Sequence, residues 1–208
     1  MKRIVQDHIR ASKKMYLFLS LLFAAGAFIG TLVIRYLSKD IHSLMIKDLA
    51  AFFSESLQME KEFSRTAYFK MNALLELKIY FVMWLCGLTV LGFAAAPFFA
   101  LWKGFVLGFA NSFLIMHYRI SGFFYDLLTI LPQNLIKVPA LFFACATILS
   151  YAIKLSEKRS SAKSVSSGQL FLLYSFSMVC AFAFSMLGVL FESFVTPSLI
   201  FVFSPEML

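Results

Sequence analysis

The chain has 208 residues, 61% of them hydrophobic and 14% charged, with 26 Phe and a formal net charge of +8. An ordinary soluble domain is about 45–50% apolar and about 25% charged, so this sequence has too little polar surface to cover a water-facing globule. The charge balance does not point to nucleic acid either, because the basic residues gather at the ends of apolar runs rather than in a patch of their own.

Lys2, Arg3, Arg10, Lys13 and Lys14 precede the first apolar run, against Asp7 alone. Cytoplasmic flanks carry such an excess of Lys and Arg, which predicts a cytoplasmic N-terminus. The uncharged run Met15–Ile34 is longer than the h-region of a signal peptide, and no small-x-small cleavage site follows it. It is expected to be a retained first span over 16–36, about the 20 residues that cross a hydrocarbon core. The stretch 38–78 then falls outside, with acids and bases in balance. Within it Ile41, Leu44, Met45, Leu49, Phe52, Phe53 and Leu57 recur at three- and four-residue intervals, the pattern of an amphipathic helix.

The uncharged run Ile79–Trp102 contains Pro97. A proline cannot continue the helical hydrogen-bond ladder, so the run is expected to divide into a span over 79–96, a tight cytoplasmic turn at Ala95-Ala96-Pro97, and a span over 98–118. Lys103 is placed within reach of the cytoplasmic interface by snorkelling. A helix over 123–153 would be about 46 Å long against a core of about 30 Å. That region is too long for one straight span and too short for two. It contains the polar insert Pro132, Gln133, Asn134, Lys137 and Pro139, where a break over 132–139, or a re-entrant turn, is expected. Backbone groups freed by a break must be buried in protein or line a cavity. Asn134 and Gln133 can supply partners, and Lys137 can cap carbonyls or pair with an acid such as Asp126. The insert is therefore the candidate polar site.

The loop 154–168 carries Lys154, Lys158, Arg159 and Lys163 against Glu157 and is expected inside. The last span, 169–191, returns outward. The expected fold class is an all-α, polytopic transmembrane helical bundle of about five spans. It forms a single integral membrane domain over 1–208, with the N-terminus cytoplasmic and the C-terminus outside. Gly26 and Gly30, and likewise Gly104 and Gly108, have the G-x-x-x-G spacing that lets helix backbones approach closely in lipid. Asn111, a turn beyond Gly108, adds a candidate interhelical hydrogen bond.

No catalytic residues, metal ligands or cofactor-binding motif are assigned. His8, His42 and His117 have no paired spacing, and neither a Walker motif nor a G-x-S-x-G elbow occurs. Cys86, Cys145 and Cys180 are scattered through the apolar segments, which argues against a disulfide framework or a zinc site. The class expected is non-enzymatic, with the lipid bilayer as first partner and no nucleic acid. A transporter subunit is the rival.

Several motifs together resemble the stage II sporulation protein M family of endospore-forming bacteria. The most specific is LPQNL followed by a proline, at Leu131–Leu135 and Pro139. DHIR at Asp7–Arg10, YLF at Tyr16–Phe18, the glycine pair Gly26 and Gly30, and LWKGFVLGF at Leu101–Phe109 support it. The wider family often has P-H-G-x-x-E in place of the insert. The Gln133, Asn134 and Lys137 found here are similar to the sporulation branch. The resemblance implies a protein of the mother-cell membrane at the septum, needed for septal thinning and engulfment. It would act as a scaffold holding two peptidoglycan-degrading proteins, sporulation proteins D and P. The wider family is also similar to ABC-2 type membrane subunits, which implies as the alternative a permease working with a separate ATPase.

Overall fold

A computed structural model describes residues 2–37, 41, 43–47, 65–89, 91–160 and 167–195. Among them there is no strand. The helices are α1 (Lys2–Tyr36), α2 (Arg65–Gly87), α3 (Gly92–Tyr125), a π-helical turn (Asp126–Ile130), α4 (Leu131–Ser160) and α5 (Ser167–Phe194). A short helical piece also covers 43–47. The remainder of the expected amphipathic segment up to 64, the centre of the basic loop (161–166) and the tail 196–208 lie outside the described residues.

Side-chain pairs along the helices fix their directions. Phe23 meets Phe142 edge-on at 5.6 Å and Met15 Sδ lies 3.8 Å from Ser150 Oγ, so α1 and α4 are antiparallel. Phe69 lies 6.2 Å from Phe194, and at the other end Trp84 lies 6.1 Å from Phe171, so α2 and α5 are antiparallel along their length. Phe23 and Ala27 of α1 meet Gly104 and Gly108 of α3 in the same order, so these two run parallel. The chain thus passes through the bundle alternately up and down. Its buried centre is built from Leu19, Tyr80, Met83, Cys145, Ile148 and Met178.

The outer surface is apolar: Leu17, Leu21, Leu172 and Phe176 are each about two-thirds exposed. Such a surface is stable only where the surroundings are apolar as well. Four segments are long and apolar enough to cross a membrane: Lys13–Tyr36, Gly92–Ile120, Asp126–Ser156 and Gly168–Phe194. They correspond to four of the five expected spans. The segment corresponding to the second, α2, carries Lys70, Glu76 and Lys78 and is not among them.

Three boundaries differ from expectation. The turn between the second and third segments lies at 88–91 and not at Ala95-Ala96-Pro97. Thr89 closes it: its Oγ1 donates to the carbonyl of Cys86 at 2.8 Å and accepts from the N–H of Leu91 at 3.3 Å. Pro97 sits in the second turn of α3, whose opening turns are held by Ala94 and Ala95 N–H groups bonding to Leu91 O. Secondly, α2 starts at Arg65, so residues 65–78 are continuous with the second helix and pack on α5 rather than forming a segment apart from it.

The third difference concerns the insert. No break occurs over 132–139; α4 is helical through it, with Pro139 in its interior. The irregularity lies just before it, in the π turn of Asp126–Ile130. Pro132 has no N–H to give the carbonyl four residues back, and its ring crowds that carbonyl. A wider π turn takes up the misfit without opening the helix. The expected long region keeps its length, as the 31-residue segment Asp126–Ser156; a second irregularity lies further upstream, where Arg119 adopts φ 51°, ψ −122° and the chain reverses. A positive φ is disfavoured for any residue with a Cβ. The reversal sets Gly122 so close to the Leu114 carbonyl that a side chain there would collide with it.

Candidate functional site

The polar residues of this apolar chain are arranged by helical period. Tyr68, Asn72, Glu76 and Tyr80 are spaced four apart on α2, and Ser185, Gly188 and Glu192 are three and four apart on α5. Such residues share one helix face, and in each helix that face turns into the bundle. On α4, Gln133 and Lys137 are likewise four apart. Gly188 allows α4 and α5 to meet: a Cβ there would run into the Lys137 side chain and lie 3.1 Å from the Gln133 carbonyl.

Lys137 therefore lies across the Gly188 surface and ends on Glu192, with which its Nζ forms a hydrogen-bonded salt bridge. Both side chains are largely buried. On the same face of α5, but against α2, the Ser185 hydroxyl, fully buried, donates to Glu76 Oε1. The Tyr80 hydroxyl faces Ser185 and Glu76 without reaching hydrogen-bonding geometry with either. Lys103 projects from α3 into the fields of Glu76, Glu192 and Lys137, and no described carboxylate lies within salt-bridge distance of it. Two lysines and two glutamates, drawn from four helices, thus converge inside the bundle. Removing one charge from water costs several kcal/mol even after relaxation, so such groups are retained in lipid mainly in mutual proximity.

The insert residues take separate parts. Asn134 Nδ2 donates to the Ile130 carbonyl at 2.8 Å, at the end of the π turn. Gln133 Oε1 is buried with no hydrogen-bond partner. Pro132 is half-buried and Pro139 exposed. Asp126, expected as a possible partner of Lys137, is buried in the π turn with Oδ1 unpartnered; Glu192 takes that place. Lys103 is turned into the bundle rather than snorkelling to the interface.

The glycine pairs of α1 and α3 face one another. A Cβ on Gly26 would strike the carbonyl of Leu101 and one on Gly30 that of Phe105. On α3, Gly104 would strike the carbonyl of Phe23, and Gly108 that of Ala27. The contact continues outward, where Ser112 Oγ donates to Thr31 Oγ1 at 2.9 Å and Thr31 to the Ala27 carbonyl at 3.0 Å. Asn111 Oδ1 is buried without a hydrogen-bond partner.

Glu76, Glu192 and Lys103 went unrecognised in the sequence. Glu76 lies where an outside loop is expected, Glu192 at a span end, and Lys103 beside an interface. The available signal was the four-residue polar period of α2, which continues into the apolar run after Lys78. Among the described residues no three His, Cys, Asp or Glu side chains gather in a group able to hold a metal ion.

Fold and site together define an integral membrane protein, an α-helical bundle that encloses ionisable groups between its helices. The chain belongs to the stage II sporulation protein M family, whose model matches residues 19–197. No curated protein and no solved structure matches it.

Proposed function

We propose that the chain is a non-enzymatic membrane scaffold of the engulfment machinery. It would hold the peptidoglycan-degrading sporulation proteins D and P at the mother-cell membrane during septal thinning. Family membership supports a sporulation membrane protein. The observation that carries the scaffold reading is that the insert lysine, the α2 carboxylate and the glycine faces are each met within the chain. Lys137 is spent on Glu192 and Ser185 on Glu76, and the glycine faces are spent between α1 and α3. The surfaces left for partners are the exposed apolar flanks and the segments joining the helices.

In this reading α2 is a fifth crossing. Its aromatic contacts with α5 run from Phe69 to Trp84, and its Glu76 is met inside the bundle by Ser185. Five crossings put the basic ends of α1 and α4 in the cytoplasm and the C-terminus outside, where the cell wall is.

One observation favours a second reading, an ABC-2 type permease subunit: charged groups from four helices converge between the spans, as they do along substrate pathways. A mild-detergent pull-down of the tagged protein from cells caught during engulfment separates the two. Recovery of both wall-degrading proteins without an ATPase is the expected result. Recovery of a nucleotide-binding subunit without them would replace the scaffold with a permease, and a Lys137→Gln variant would then be expected to lose transport.

A further inference from the structure

Away from the Lys137–Glu192 pair, at the end of the bundle where α1 enters and α4 leaves, the helices part. An open cavity of about 220 Å³ lies between α1, α4 and α5. Phe143 and Leu173 form part of its apolar wall, and Tyr16, Ser150, Tyr151 and Lys154 provide polar groups. Its Ser and Thr hydroxyls are already engaged: Thr147 donates to Phe143 O and Ser177 to Leu173 O, each at 2.8 Å, and Ser150 contacts Met15 Sδ. Its charged lining residue, Lys154, is exposed, and no carboxylate lines the cavity. Lys13 and Lys14, also exposed, immediately precede the lining residues Met15 and Tyr16.

We propose that this cavity seats the headgroup of an anionic glycerophospholipid. The phosphate would lie against Lys154 and the phenol groups of Tyr16 and Tyr151, with Lys13 and Lys14 adding to the positive field. The volume suits a headgroup and not two acyl chains. Those would pass over Phe143 and Leu173, which are exposed on the outer face, into the surrounding bilayer. Continuity of a cationic recess with an apolar flank is what distinguishes a lipid from a soluble phosphate as the occupant. Basic pockets between membrane helices on the cytoplasmic side recognise anionic headgroups by this chemistry.

The test uses the full chain in nanodiscs of phosphatidylglycerol and phosphatidylcholine, with retained lipid counted by native mass spectrometry after transfer to detergent. The wild type is expected to retain phosphatidylglycerol in preference to phosphatidylcholine. One lysine near the headgroups changes anionic-lipid binding about fivefold. Lys154→Gln should reduce phosphatidylglycerol retention by that factor and leave phosphatidylcholine unchanged. Ser177→Leu, which fills the cavity without altering charge, should lower it as well. Lys154 is exposed, so its variant should fold and decides the matter if Ser177→Leu does not. Equal retention of the two lipids by the wild type, or unchanged phosphatidylglycerol retention in Lys154→Gln, would overturn the proposal. Displacement of the retained lipid by glycerol phosphate would overturn it in favour of a soluble phosphate ligand.

Discussion

At the scale of single residues the chain is governed by the cost of isolated charge. Lys137 and Glu192 lie between α4 and α5 with little access to solvent. Breaking a buried pair by removing one partner costs about 3–5 kcal/mol, whereas replacing both with apolar residues is often neutral. Lys137→Met should therefore lower unfolding stability in detergent by about that amount. The double variant Lys137→Met/Glu192→Met should recover most of it. A loss in the double variant equal to the sum of the two single-variant losses would show that the pair is not energetically coupled. The Ser185–Glu76 contact follows the same logic on a smaller scale. Ser185→Val leaves a buried carboxylate without its donor and should cost about 1–3 kcal/mol, measurable by the same unfolding assay.

At the scale of elements, the α1–α3 contact is a backbone-to-backbone approach. The four glycines were legible in the sequence because the G-x-x-x-G spacing is local, but their partner was not. Spacing cannot say whether a face meets another helix of the same chain or a different protein. The geometry places them inside the chain, so they are not free to form an interface with a partner. Gly104→Leu should push α1 off α3 and destabilise by about 1–3 kcal/mol or more. Val106→Leu, on the exposed side of the same helix, should stay within about 0.5 kcal/mol. Thermal unfolding of the two variants side by side checks this. If Gly104→Leu were as benign as Val106→Leu, the close approach would not be present in the membrane.

For the molecule as a whole, the question is how α2, with Lys70, Glu76 and Lys78, comes to lie among helices that are almost purely apolar. On its own it is a poor candidate for a membrane span; within the bundle Glu76 is met by the fully buried Ser185. A topology test follows. With Cys86, Cys145 and Cys180 replaced, single cysteines at the exposed positions Thr66 and Thr89 should lie on opposite sides of the membrane. An impermeant maleimide should label Thr66→Cys in intact cells whose wall has been removed. It should label Thr89→Cys only after permeabilisation. Labelling of both from one side would mean that α2 does not cross, and that the two chain ends share a compartment.

The sequence by itself determined the solvent. Long uncharged runs and a deficit of polar residues admit only an apolar environment, and helices satisfy their backbones there without help from distant residues. It also located the reversal near Tyr118-Arg119, since the end of a span is written in its own composition. The tertiary structure decided where the charges go. Lys137 meets Glu192 55 positions away, and Ser185 meets Glu76 across 109. A pairing energy depends on distance in space, to which chain separation is no guide once helices fold back on one another. The insert shows the same division. Its prolines signalled strain, but the π turn upstream and the flat surface of Gly188 decided that the helix would bend its hydrogen bonding rather than break.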